Sequence, residues 1–126
     1  VEYKSAGSAL IPLLNHSYPR AKFFAAQALG RTKDINAVNP LIKMLEENND
    51  EDVYLRHAAV LALSRIGQAE KVIALSNSPS KALRTAAVLV LRRMKDKNVA
   101  IFLKDSDEYV ATEAARAIND DLSIVE

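Results

Sequence analysis

Four stretches of this sequence align with one another without a gap: 21–32 (AKFFAAQALGRT), 55–66 (LRHAAVLALSRI), 83–94 (LRTAAVLVLRRM) and 110–121 (VATEAARAINDD). Each opens on an apolar residue, carries Ala four positions later, Ala or Val at seven, and Leu or Ile at eight. The eighth-position anchors Leu29, Leu63, Leu91 and Ile118 are separated by 34, 28 and 27 residues. Positions zero, four, seven and eight lie on one face of a 3.6-residue helix, so each stretch reads as a core-facing helix. Recurrence at this period means that one supersecondary unit is repeated, and that each copy buries its apolar face against the next. The chain can therefore be a stack of helical hairpins and little else.

The remaining sequence supplies the other half of each hairpin. Shorter apolar runs precede the four stretches, at 10–14, 38–45, 72–75 and 99–103, and read as first helices. Between the runs lie HSYP (16–19), NNDED (48–52), NSPS (77–80) and KDSDE (104–108), all rich in turn and capping residues. Pro79 fits the first position of a helix, where a missing N–H is harmless. Asp50 and Ser106 are expected N-caps, with acidic neighbours favourably placed at the positive helix end. Gly30 and Gly67 fall where the second helix should stop in a left-handed residue. Ala25, Ala59, Ala87 and Ala114 are small enough to let neighbouring helices approach closely. The scarcity of Gly (three) and Pro (four) suits a chain that is helical almost throughout.

The pieces AAQALGR (25–31), YLRHAAVLALSRIG (54–67) and LRTAAVLVLRRM (83–94) resemble HEAT-like repeats of the phycobilisome-lyase type. The resemblance covers nearly the whole chain. It implies an all-α α-solenoid, a right-handed α-α superhelix of about four HEAT-like hairpins in a single domain over 1–126, with repeats at about 6–33, 35–67, 69–95 and 97–121. The fourth repeat departs from the pattern, with Ala111 where the others carry Lys22, Arg56 and Arg84. A second resemblance, carried by YLRHAAV (54–60) and EAARAINDDLSI (113–124), is to HEAT regions of large exported bacterial proteins that join a sugar-dehydrogenase-like propeller to a c-type haem domain. It implies an exported setting; the sequence otherwise leaves the compartment open. No polar capping repeat follows residue 121, so the segment is expected to belong to a longer chain.

Composition narrows the function. A net charge of +1 with mixed signs gives no electrostatic reason to expect nucleic acid or an anionic membrane. The absence of cysteine excludes disulfides, thiolate metal sites and thiol nucleophiles. No apolar run approaches the roughly 20 residues of a transmembrane helix. His16 and His57, the only histidines, stand in different repeats without carboxylates at ligand spacing. No phosphate-binding loop, nucleophile elbow or HExxH is present. No catalytic residue, cofactor or metal is expected, and the chain reads as a non-enzyme.

Two features have a structural and a functional reading. Lys22, Arg56 and Arg84 occupy one site per repeat; they either pair with acidic turn residues (Asp50, Asp52, Asp105, Asp107) or form a ladder for an acidic partner. Positions two, six and nine of each second helix face away from the Ala/Leu seam and are expected to line the concave surface. They are Phe23, Gln27 and Gly30; His57, Leu61 and Ser64; Thr85, Leu89 and Arg92; Thr112, Arg116 and Asn119. Leu61 and Leu89 either wedge between repeats or form an apolar strip covered by a partner. The expected partner-binding set is Phe23, Gln27, His57, Leu61, Thr85, Leu89, Arg92 and Arg116. Tyr18, Tyr54 and Tyr109, at the turns entering the second helices, are secondary candidates. The function expected is protein–protein interaction or scaffolding, with another protein or other domains of the parent chain as partner. The alternative implied by the resemblances is an accessory or lyase-like domain acting on a tetrapyrrole protein, or a repeat segment of a haem-containing dehydrogenase-like protein.

Overall fold

The structure, a computed structural model, describes residues 2–121, with side chains described from residue 6 onward. It contains helices α1 (Glu2–Leu10), α2 (Pro19–Thr32), α3 (Val38–Asn48), α4 (Val53–Ile66), α5 (Ala69–Ile73), α6 (Lys81–Met94) and α7 (Glu108–Asp120), with 3-10 segments before α2, α3, α6 and α7. No strand occurs among the described residues. The all-α helical-repeat class is therefore as the sequence implies. The chain divides into two compact units, Val1–Gln68 and Ala69–Glu126.

All four anchor stretches are helical, and their seam is buried. Ala25, Ala59, Ala87 and Ala114 are each at most 1% exposed, and Leu29, Leu63 and Leu91 are equally inaccessible. Each of those leucines contributes about 1.5–3 kcal/mol by leaving water. Ile118 is only half-buried. In the first unit α2 packs along α4, and the 3-10 segment Ile11–Asn15 and α3 support them. In the second unit α6 packs on α7, with α5 against α6 and the 3-10 segment Lys97–Lys104 against α7.

Of the four first-helix runs only 38–45 is α-helical throughout, in α3; the others are partly or wholly 3-10, and in the last two a change of period is the reason. Val99 and Phe102 are the buried members of Lys97–Lys104, and Asp105 follows at the same interval of three. An apolar face repeating every three residues is satisfied by a 3-10 helix, whose side chains eclipse at i and i+3, and not by an α-helix. Val72 and Leu75 repeat the interval across α5 and the 3-10 turn Ala74–Asn77.

Helix boundaries correct several expectations. Gly30 does not end α2; the left-handed residue is Lys33 (φ 54°), with the Asp34 N–H reaching the Leu29 carbonyl at 3.3 Å. Lys95 (φ 55°) ends α6 in the same way, the Asp96 N–H bonding Leu91 O at 2.9 Å. These are Schellman ends, followed at once by an aspartate that caps the next 3-10 turn: Asp34 accepts from Asn36 N–H and Asp96 from Asn98 N–H. Gly67 (φ 80°) is the one glycine used as expected. The N-caps are Asp52, Ser80 and Asp107 in place of Asp50 and Ser106. Pro79 precedes the cap of α6, and it is Pro19 that occupies the first turn of a helix.

Gly30 has a different use. A Cβ there would lie 2.8 Å from the Ala62 Cα and 3.0 Å from its Cβ, so the two helix backbones meet at this point. Helix propensity favours Ala over Gly by about 1 kcal/mol, but overpacking against backbone costs about 1–3 kcal/mol. Gly30→Ala is therefore expected to lower stability by about 1 kcal/mol despite its better propensity. Lys33→Gly is expected to raise it by about 0.5–1 kcal/mol, since relief of left-handed strain (roughly 1–2 kcal/mol) exceeds the added unfolded-chain entropy (roughly 0.4–1 kcal/mol). Urea denaturation of the two variants checks both signs.

The basic series is settled pair by pair. Arg84 Nε donates to Asp105 Oδ2 at 2.9 Å and its Nη1 to the Ser78 carbonyl at 3.0 Å. The two side chains are 13% and 5% exposed, so this guanidinium ties the turn before α6 to the turn before α7. The fourth repeat, with Ala111 at the basic site, thus has its Asp105 neutralised by the preceding repeat. Arg56 instead meets Asp50 of its own turn at 3.5 Å, both partly exposed. Lys22 forms no ion pair among the described residues. Removing one member of a buried pair strands the other, at about 3–5 kcal/mol, whereas a partly exposed pair contributes below about 1 kcal/mol. Arg84→Ala should therefore destabilise several-fold more than Arg56→Ala; equal shifts in calorimetric Tm would show that the Arg84 bridge does not hold the repeats.

Candidate functional site

Each second helix is entered through a turn whose side chains occupy the backbone N–H groups that a helix start leaves unpaired. In repeat four, Asp105 Oδ1 accepts from the Asp107 N–H (2.8 Å), and Asp107 Oδ1 accepts from Tyr109 (2.9 Å) and Val110 (3.2 Å). Repeat three does the same with Ser78 and Ser80. In repeat one the imidazole Nδ1 of His16 accepts from the Tyr18 N–H at 3.0 Å. Repeat two uses Asn48 Oδ1 for the Asp52 N–H, and Asp52 Oδ1 for Tyr54 and Leu55. Asp52, Ser80 and Asp107 thus cap α4, α6 and α7, whereas α2 has no side-chain cap and starts on Pro19; the candidate surface lies at such helix starts.

In the first unit the starts of α2 and α4 frame a cleft of about 390 Å³. Pro19, Phe23, Phe24, Tyr54 and Leu55 form its apolar lining, with Arg20 and Asp52 at its edges. Phe23 and Phe24 stand edge to face, 5.5 Å between centroids at 78°, an arrangement favoured by the aromatic quadrupole. Phe24 is 58% exposed and Tyr54 77%. Tyr18 and Val53 are exposed as well. Large apolar side chains gathered around one cleft at this exposure mark a recognition surface more than a solvated one.

The equivalent part of the second unit, at the starts of α6 and α7, has the opposite character. A groove of about 460 Å³ is lined by Lys81, Asp107, Glu108, Tyr109, Thr112, Glu113 and Arg116. Its charges are largely matched internally: Lys81 lies 3.4 Å from Asp107 and 5.6 Å above the Tyr109 ring, and Arg116 lies 3.4 Å from Glu113. The Asp107 carboxyl is held below its ordinary value of 3.8, first by the Val110 N–H, against the opposing effect of burial, and then by the charge of Lys81.

The residues expected from sequence are distributed as follows. Phe23 lines the aromatic cleft and Arg116 the charged groove. Gln27 and Leu61 are half-buried on α2 and α4, and His57 is exposed. Leu89 is half-buried, so neither leucine is a fully buried wedge. Arg92 reaches Asp120 at 3.0 Å. Thr85 is 1% exposed and presents no surface to a partner; its hydroxyl has no hydrogen-bond partner among the described residues. Gly30, in the same row, is consumed by the contact with Ala62. Phe24 and Arg20 were missed because they lie off the two–six–nine row. Their signal was the doubled aromatic FF at 23–24, in a sequence with few aromatics, one helical turn after Arg20. Among the described residues, no group of three or more His, Asp or Glu could hold a metal ion, and no helix is long and apolar enough to cross a membrane.

The Asp107 shift has a sign. A carboxyl whose folded-state value is depressed stabilises the fold fully above its unfolded value, and that contribution fades as pH falls through the depressed one. Protection of the Tyr109 and Val110 amides against hydrogen exchange is expected to hold from neutrality to near pH 4 and to fall below it. Asn also caps helices but does not titrate, so Asp107→Asn should flatten the profile; a variant as acid-sensitive as the native chain would refute the assignment.

Among known proteins, the family model for HEAT repeats matches residues 7–77, more than half of the chain. No curated protein matches the sequence at a significant level. The family match spans the first two hairpins, including the cleft-forming α2 and α4, and the third and fourth anchor stretches continue their pattern with the same buried seam. The chain belongs to the HEAT-repeat family.

Proposed function

We propose that the chain is a protein-interaction module without chemistry of its own, and that its contact surface is the aromatic cleft framed by the starts of α2 and α4 in the first unit. HEAT repeats typically mediate protein interactions, and that general role extends to this member. The observation that carries the finer reading is the aromatic cleft of the first unit, where Phe24 and Tyr54 are more than half exposed beside Phe23. Tyr side chains and aromatic anchors of this kind provide most of the binding energy where proteins meet, because they bury large areas with little loss of rotamer entropy. His57 and Leu61 lie further along the same helix as Tyr54 and would extend the contact. In the second unit the starts of α6 and α7 are polar, with Lys81, Glu108 and Arg116, whereas Leu89 and Arg92 lie further along α6, Arg92 in its last turn. The displaced carboxyl of Asp107 is engaged in capping and in its pair with Lys81, which supports a structural role for it.

A photo-crosslinking amino acid placed at Phe24, at Tyr54 and, as a control on a first helix, at Glu47 tests the reading in cells that express the chain. Discrete adducts with one protein are expected from positions 24 and 54 and not from 47. Once that protein is in hand, Tyr54→Ala should weaken its binding by about 2 kcal/mol. Absence of adducts, or identical adducts from all three positions, would dismiss the surface.

A further inference from the structure

The aromatic cleft carries information about the chemistry of what fills it. We propose, on the basis of the interaction reading above, that it takes a protein segment presenting an aromatic or large aliphatic side chain flanked by acidic residues, with the acidic group seated on Arg20.

On a helix surface a cation finds its partner three or four residues away. For Arg20 those positions are Phe23 and Phe24 on one side and Ser17 and His16 on the other, so its own segment offers no carboxylate. No ion pair or hydrogen bond to Arg20 forms among the described residues, and its side chain is exposed at the edge of the cleft. Arg56, Arg84, Arg92 and Arg116 each meet a carboxylate; Arg31, Arg65 and Arg93 do not among the described residues, but they stand in last helical turns, where the dipole favours a cation, whereas Arg20 stands in the first turn of α2, where it does not. A guanidinium is weakly hydrated and presents planar donors that match a carboxylate in two parallel hydrogen bonds. Beside Phe23 and Phe24, such a pair would be screened less by water than one on an open surface.

One carboxylate shares the cleft: Asp52 lines it, and its Oδ1 is committed to the N–H groups of Tyr54 and Leu55. An acidic residue of the partner is therefore attracted toward Arg20 and repelled from Asp52, while an apolar side chain is taken by the aromatic lining. The volume, about 390 Å³, lies within the range of clefts that hold small groups, roughly 300–1,000 Å³. The same asymmetry disfavours a nucleic-acid strand, which stacks on aromatics as readily but needs a track of cations for successive phosphates. Here one cation faces one carboxylate.

Selection of random-sequence displayed peptides on the full chain, with counter-selection on Tyr54→Ala, tests this directly. The expected result is a family of peptides with an apolar anchor next to Asp or Glu. A synthetic member should bind about tenfold or more weakly to Arg20→Glu, with Arg20→Gln between the two, and should weaken as salt is raised. Replacing its acids by Lys should restore binding to Arg20→Glu. Arg20 and Tyr54 are exposed, and circular dichroism of each variant confirms the fold. Peptides without acidic flanks, affinity unmoved by Arg20→Glu, or no peptide dependent on Tyr54 would each overturn the proposal, as would tighter binding of a labelled oligouridylate than of any selected peptide. Adducts at positions 24 and 54 alongside any of these failures would leave the interaction reading standing and remove only this account of the partner.

Discussion

The close approach of neighbouring helices is the constraint on which the rest of the structure depends. At Gly30 the backbone of α2 lies so near Ala62 of α4 that a methyl group does not fit between them. Alanine at the fourth position of every second helix, buried in each case, serves the same end with one carbon more. Axes this close leave room for only one layer of larger side chains, supplied by the leucines at the eighth position. Within the first unit this approach fixes how α2 lies along α4, and the candidate surface is built at the starts of those two helices.

The turns before the second helices solve one problem with four sets of residues. The backbone N–H of the residue just before each second helix needs an acceptor, and the chain offers Nδ1 of His16, Oδ1 of Asn48, Oγ of Ser78 or Oδ1 of Asp105. What differs is the charge left over. Asp105 brings a buried carboxylate that must be neutralised, and Arg84 does so from the preceding repeat while its second arm holds the Ser78 carbonyl. Ser78 and His16 bring no such charge. The bridge is thus confined to the second unit, between two turns of unlike composition, and the basic residue at each first position acts according to its local turn, not as a uniform ladder.

Much of this was legible in the sequence because the seam is periodic. The second helices, their buried alanines and the three leucines follow from spacing alone, since a face repeating at 3.6 residues admits one reading. The first helices were harder. A run such as VAIFL (99–103) is too short to separate a period of three from 3.6, and only the burial of Val99 with Phe102 decides for 3-10. Helix ends were misread for a related reason. Glycine is the usual left-handed residue, yet Lys33 and Lys95 take that conformation because the Asp after each immediately caps the next turn. The repeated K-D-x-N at 33–36 and 95–98 was the available signal. The surface was read least well: a row drawn at 100° per residue includes Thr85 and Gly30, which packing removes, and omits Phe24, which lies one residue off the row. Periodicity states which side of a helix is buried, while exposure at its margins depends on how far neighbours extend, and that is not a property of one helix's sequence.

The comparison of the two units bears on where binding energy resides. Both place a cleft at the start of a pair of second helices, built from equivalent positions of the repeat. In the second unit Lys81, Asp107, Tyr109, Glu113 and Arg116 satisfy one another, so a partner that displaced them would lose as much as it gained. In the first unit Phe24 and Tyr54 have most of their surface in water and Arg20 pairs with no acid among the described residues, so contact there exchanges unfavourable hydration for packing and pairing. An internally paired surface serves register and exclusion of wrong partners better than affinity. The repeat scaffold thus separates the two tasks by changing a few side chains at fixed positions, without altering the buried seam that holds them.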